Sequence, residues 1–262
     1  MRKSIIMDIK YNVFSLSSLI GIIFSFALFS KEIIMAINDG SFSGYRYPYV
    51  SLVDGSFNYT AFMVFAPILA SSVASMNLCH DLQSGYIKNI LFKQDKKSYA
   101  GSRFIVCTLS GGLVMSIITA ILMVIILIVG RPVYQPDALD SGTFNSTAFE
   151  SIQFIGGGTF LAFVVIILSF IFGGLWAAVG LTFSVYKPNK YLAVAFPLLL
   201  YYAINFTFGK FEILDKFRPM HMLVPGTALV PSIGFILAEQ LIFYLLVLCI
   251  YSIGIQWRLK NV

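Results

Sequence analysis

The sequence predicts an all-α integral membrane protein with six transmembrane helices. Three observations carry that prediction. Apolar residues make up 58% of the 262 and charged residues only 11%, and the mean hydropathy is +0.85, far from the balance of a soluble domain. Several apolar runs reach or approach the roughly 20 residues that a helix needs to cross a hydrocarbon core of about 30 Å. Charged residues collect between those runs, and no interval is large enough for a soluble domain, so 1–262 reads as a single transmembrane domain.

Residues 1–12 carry Arg2, Lys3 and Lys10 beside Ile5, Ile6 and Ile9, the pattern of an amphipathic elbow helix lying at the membrane surface before a first span over 13–30. No Ala-x-Ala exit follows, so a cleaved signal peptide is not expected. The connection 31–59 combines Gly40, Gly44, Pro48 and Gly55 with Tyr45, Tyr47 and Tyr49, a composition suited to a membrane–water interface. A second span over 60–78 presents Ala70, Ser71, Ala74 and Ser75 as a small-residue packing face. The third, 104–130, ends at Arg131-Pro132. The run Gly156-Gly157-Gly158 is expected to break the helical period before the fourth span, 160–185, in which Gly173, Gly174, Ala177, Ala178 and Gly180 form a second packing face. After a basic turn at 186–190 comes the fifth span, 191–208. Pro219, Pro225 and Pro231 punctuate 209–232, whose apolar part is too short to cross, so this segment reads as re-entrant or surface-lying short helices before a sixth span over 233–257.

The polar stretch 80–98 is the one long interval that is both basic and helix-patterned. Over 81–92, Leu82, Tyr86, Ile87, Ile90 and Leu91 share one half of a helical wheel, while Ser84, Gly85, Lys88 and Asn89 share the other. A short amphipathic helix held between two spans lies on the bilayer or docks into a groove of a soluble partner. Docking is the reading adopted, with Asp81, Gln83, Lys88, Asn89 and Lys93 giving polar registration. Arg2, Lys3, Lys10, Lys88, Lys93, Lys96, Lys97, Arg103, Lys187, Lys190, Arg258 and Lys260 fall on one side of six spans. Lys31, Arg46, Arg131, Lys210, Lys216 and Arg218 fall on the other. The positive-inside rule then predicts that both termini and the 80–98 stretch are cytoplasmic.

Several chemistries are excluded or weakly signalled. Around Gly209-Lys210, the nearest approach to a phosphate-binding loop, Ile204 stands where its first glycine belongs and Phe211 where its hydroxyl belongs. No Gly-x-Ser-x-Gly or His-Glu-x-x-His motif occurs. Cys79, Cys107 and Cys249 lie in or beside apolar runs without paired spacing, so they read as small apolar residues. His80 and His221 fall on opposite sides of the predicted membrane, which rules out one shared metal site. Glu239, about two turns into the sixth span, and Asn205, in the fifth, form a possible intramembrane polar site. The bland reading of Glu239 is that it reaches the outer interface or pairs with a basic residue of the outer loop, and that of Asn205 is one hydrogen bond to a neighbouring helix. The basic charge is accounted for by topology, and nucleic acid is not an expected partner.

Six spans, an amino-terminal elbow, a basic helix between spans two and three, and a proline-broken segment between spans five and six together resemble the type-2 ABC transporter permease family. In that family an acidic residue, a glycine, a leucine-bearing helix and a basic residue follow one another after span two; here Asp81, Gly85, Ile90-Leu91 and Arg103 take those places. Tyr86 departs from the family's usual Thr or Ser, and Lys93-Gln94-Asp95 lacks the proline that often follows the helix. The resemblance implies a permease domain in the cell membrane that works as a homodimer or with a sister permease. It also implies no cofactor on this chain, ATP and magnesium being held by separate ABC ATPase subunits. Asp81, Gln83, Gly85, Tyr86, Lys88, Asn89 and Lys93 would be the ATPase-coupling residues, and the cargo an exported hydrophobic or amphipathic peptide, lipid-like molecule or drug. The alternatives are an intramembrane enzyme built on Glu239, His221 and Asn205, an ion-coupled carrier, and an immunity or scaffold protein without transport.

Overall fold

The computed structural model of the chain describes residues 2–38, 61–85, 87, 91–92, 95–129, 147–223 and 232–260. Ten helices are defined there: α1 Arg2–Val13, α2 Leu16–Asn38, α3 Ala61–Ser72, α4 Ser75–Gln83, α5 Lys96–Val129, α6 Thr147–Tyr186, α7 Lys190–Phe208, α8 Glu212–Asp215, α9 Pro219–Leu223 and α10 Ile233–Lys260. No strand occurs among the described residues.

Four helical stretches are long and apolar enough to cross a membrane unaided: Lys96–Ile125, Phe163–Tyr186, Lys190–Phe208 and Ile233–Lys260. Two further spans arise if α1 with α2, bent by 42°, and α3 with α4, bent by 40°, each cross as a pair. The chain is therefore a helical membrane protein with four to six spans. Serine hydroxyls mark both bends. Ser15 accepts the backbone N–H of Ser18 at 3.3 Å, capping α2, while the Ser18 hydroxyl donates to the carbonyls of Val13 and Ser15. At the second bend Ser71, Ser72 and Ser75 donate to carbonyls of the preceding turn, competing with the helical ladder.

Several boundaries differ from the expected ones. The residues expected to form the second span are not one straight helix but the bent α3–α4 pair. The third helix begins at Lys96 rather than near 104, because its first turns are held by protein contacts described below. The triple glycine does not interrupt α6, which runs through 156–158. Each glycine costs a helix about 1 kcal/mol relative to alanine, but no water competes for the backbone groups of an apolar segment, so the helical ladder persists. Two short helices, α8 and α9, do occupy part of 209–232, as expected; 224–231 and the tyrosine-rich connection 39–60 lie outside the described residues.

α6 is the axis of the bundle. It packs against α3, α4, α5, α7, α9 and α10, and 72% of its span is buried, against 17% for α7 and for α10. Its small-residue face makes that possible. A Cβ on Gly173 would stand 2.6 Å from the Gly111 carbonyl oxygen, and one on Gly111 would stand 2.9 Å from the Gly173 carbonyl oxygen, so α5 and α6 touch backbone to backbone. Ala70, Ser71, Ala74 and Ser75, the small-residue face expected over 60–78, are all buried. Ser71 also donates to the Val194 carbonyl of α7 at 3.2 Å.

Candidate functional site

The interval between α4 and α5 is built around Asp81. α4 ends one turn later, where the N–H and hydroxyl of Ser84 both return to the His80 carbonyl, at 2.9 and 2.7 Å. Gly85 then takes φ +69°, the left-handed conformation that stops a helix and favours glycine. Asp81, Leu82 and Gln83 therefore belong to α4, and the helix expected over 81–92 does not start at Asp81.

Asp81 is not presented to solvent. It is 5% exposed, its carboxylate is ion-paired with the Arg103 guanidinium, and it accepts the Tyr99 hydroxyl at 2.8 Å. Tyr99 and Arg103 are four residues apart on one face of α5, and the guanidinium carbon lies 5.5 Å from the Tyr99 ring centre. The polar registration with a soluble partner expected of Asp81 is thus replaced by an internal role: it fastens the end of α4 to the start of α5.

The apolar face expected to grip a partner is also used within the chain. Ile87 is fully buried, and Leu82 and Leu91 pack on the core. Phe92 is instead 88% exposed. Gln83 is exposed and donates through its amide to the Pro188 carbonyl in the turn between α6 and α7; Gly85 is exposed as well. Tyr86, Lys88, Asn89 and Lys93 lie outside the described residues.

More ties converge at the same end. Asn12 of α1, 3% exposed, accepts from the Asn77 amide of α4 at 2.9 Å and donates to the Ser110 hydroxyl of α5 at 3.5 Å. Lys96 reaches the Leu259 carbonyl near the end of α10 at 2.5 Å, and the Tyr251 hydroxyl donates to the Ala100 carbonyl at 2.9 Å. Along with Arg103, Lys187, Lys190, Arg258 and Lys260 stand near these contacts, so the clamped end is also the basic end.

The other end differs. Asn205, near the end of α7, donates to the Tyr201 carbonyl at 2.9 Å and accepts the Met220 N–H at 3.2 Å, holding the start of α9. Its role is the bland one. Gln240 donates to the Met222 carbonyl at 3.1 Å, tying α10 to α9. Between them His221 is buried beside the backbone of Asp215, with neither ring nitrogen in a well-aligned hydrogen bond among the described residues. Burial, opposed by Asp215 and reinforced by Arg218, pushes its imidazole down from 6.5 to about 4, so it stays neutral at physiological pH. The Trp176 indole N–H, Gln240 Oε1 and Glu239 Oε2 are also buried without a partner there.

Comparison with family models, with curated proteins and with solved structures returns no match. The reading of this chain therefore rests on its own residues. Among those described, no three His, Cys, Asp or Glu side chains gather in a way that could hold a metal ion; at Cys79-His80-Asp81 the histidine faces out while its neighbours are buried. Sequence patterning brings Asp81 and Arg103 into view but misses Tyr99, Asn12 and Asn77. The signal for Tyr99 is its i, i+4 spacing from Arg103. Asn12 and Asn77 have no comparable signal, because a lone asparagine beside an apolar run carries no information about what it faces.

Proposed function

We propose that the chain is the membrane-spanning subunit of an ABC exporter, one that moves a hydrophobic or amphipathic peptide, lipid-like molecule or drug out of the cell with energy from a separate ATPase chain. The observation that carries this reading is the clamp at the basic end. The short interval between α4 and α5 is exposed at Gln83, Gly85 and Phe92, yet both helices that flank it are joined through Asp81, Tyr99 and Arg103. A push on that interval by a soluble motor would not be dissipated in a loose loop. It would pass into α4 and α5 together, and from α5 into α6 along the Gly111–Gly173 contact.

In this reading the protein does no covalent chemistry, and ATP and magnesium are held by the partner. The chain lies in the cell membrane with both termini and the 80–98 interval in the cytoplasm, paired with a second copy or a sister permease. Because Leu82, Ile87 and Leu91 are committed to the chain's own core, the motor's grip falls to Phe92 and to the polar residues that the sequence offers, Lys88, Asn89 and Lys93. The test is recovery of the tagged full-length chain from its native membranes in mild detergent. A nucleotide-hydrolysing chain is expected to co-purify, and to be lost when Lys88→Glu is combined with Asn89→Asp. Absence of such a chain, or its undiminished recovery with the double variant, overturns the proposal.

A further inference from the structure

At the basic end, the outer side of α10 carries features that the coupling role does not use. Leu246, Ile250, Ile253 and Trp257 follow one another at helical spacing and are all exposed, a continuous apolar stripe with an indole at its foot. Arg258 and Lys260 come directly after it. Tyr186 brings the turn between α6 and α7 against this part of α10. Its hydroxyl donates to the Ile250 carbonyl at 2.9 Å, and a Cβ on Gly254 would stand 2.7 Å from its ring. Trp176 meets Phe243 and Tyr186 meets Ile250, so the contacts advance along both helices together and α6 and α10 run parallel. Arg258, one turn beyond Gly254 on the same flank of α10, and Lys187, next after Tyr186, therefore both continue past this contact toward the same end. Lys190 follows at the start of α7.

These cations are not neutralised within the chain. No Asp or Glu occurs in 151–211 or in 240–262, and the ion pairs among the described residues are Arg103–Asp81 and Arg218–Asp215. Asp95, beside Lys96 at the neighbouring start of α5, pairs with none of the four there. Cations next to an exposed apolar stripe call for a ligand with an anionic head and a hydrocarbon tail, and tryptophan marks the depth at which headgroup meets acyl chain. We propose that the angle between the end of α10 and the α6–α7 turn seats an anionic phospholipid. Its phosphate would accept from Lys187 and Arg258, with Lys190 and Lys260 flanking, while an acyl chain lies along Ile253, Ile250 and Leu246. A soluble acidic partner would match the cations and leave the stripe unused; a zwitterionic lipid would match the stripe and bring its own cation to a place already positive. The site requires only a chain that spans a lipid bilayer, so it stands apart from the exporter reading.

Trp257 reports on this site, since Trp176, the other tryptophan, is fully buried. The full-length chain is placed in phosphatidylcholine nanodiscs doped with phosphatidylglycerol whose acyl chains carry bromine, a contact quencher of indole, and in a parallel series with brominated phosphatidylcholine. Half-maximal quenching should need about fivefold less of the brominated phosphatidylglycerol, the factor that one basic residue near a membrane surface supplies. The advantage should vanish in Lys187→Gln combined with Arg258→Gln and persist in Lys3→Gln combined with Lys10→Gln, which removes equal charge from α1 at the same end. If the first variant fails to fold, Lys187→Gln combined with Lys190→Gln, both exposed, carries the same expectation. Equal quenching by the two lipids, equal loss in the α6–α10 and α1 variants, or quenching that survives Trp257→Phe would overturn the site. So would abolition of the advantage by inorganic phosphate at matched ionic strength, which would show that an anion alone is recognised. No ATPase is present, so failure of the co-purification above leaves this result standing, and failure here leaves the coupling clamp untouched.

Discussion

The two ends of this bundle treat buried polar groups in opposite ways. At the basic end each buried polar side chain of the clamp has found a partner: Asp81 has Arg103 and Tyr99, and Asn12 has Asn77 and Ser110. Toward the other end His221, Glu239 and Gln240, and part-way along the bundle Trp176, keep at least one polar atom unsatisfied among the described residues. The difference separates a joint that completes its own hydrogen bonds from a region that leaves several unmade. A joint that transmits force gains rigidity from completing its own hydrogen bonds.

The comparison breaks most sharply at Arg103. Arg103→Leu leaves the Asp81 carboxylate buried with only the Tyr99 hydroxyl, and removing one partner of a buried ion pair costs about 3–5 kcal/mol. In a chain of this size that is a fall in apparent melting temperature on the order of 10 °C, read by thermal unfolding in detergent. Combining Asp81→Leu with Arg103→Leu should restore most of the loss, because no orphaned charge then remains. A double variant as unstable as the single one would show that the pair is not the joint.

A smaller effect, at the opposite end, comes from pH. Burial holds the His221 imidazole near 4, below its ordinary 6.5. Above pH 6.5 the group is neutral folded and unfolded, and it contributes no pH dependence. As pH falls from 6.5 toward 4 the unfolded chain takes up the proton first, so stability drops, by about 2 kcal/mol at pH 5. Asp215 and Arg218 are the charged groups that bear on it. His221→Phe should flatten this part of the profile; parallel profiles for the two proteins would place the titration elsewhere.

The same contrast explains how much was legible in the sequence. Apolar runs and small-residue spacing mark where helices lie and which faces touch, since both follow from local period; the Gly111–Gly173 contact is prefigured by one of its two faces. Positions at which the chain chooses between local and distant partners are less legible. Lys96, Lys97 and Ser98 read as loop because they are polar, but Lys96 has the Leu259 carbonyl to hold, so the helix extends. Asp81 reads as a surface residue until Arg103 is brought beside it. At the far end Glu239 stands out at once as an acid in an apolar run, whereas Trp176 and Gln240 do not, because only the packing of α6, α7, α9 and α10 reveals that their polar atoms lack partners.

The smallest expected effect bears most directly on the difference between the two ends. Gln240→Leu removes the hydrogen bond to the Met222 carbonyl, a loss of about 1 kcal/mol. It also removes a buried Oε1 that has no partner and substitutes apolar surface of similar size, a gain of comparable magnitude. The two should nearly cancel, leaving the melting temperature within a few degrees of wild type. At the clamp the corresponding loss of a single partner cannot cancel, since each atom there is already engaged. If Gln240→Leu destabilises the chain as severely as Arg103→Leu does, its amide is part of a second clamp, and the far end is a joint too.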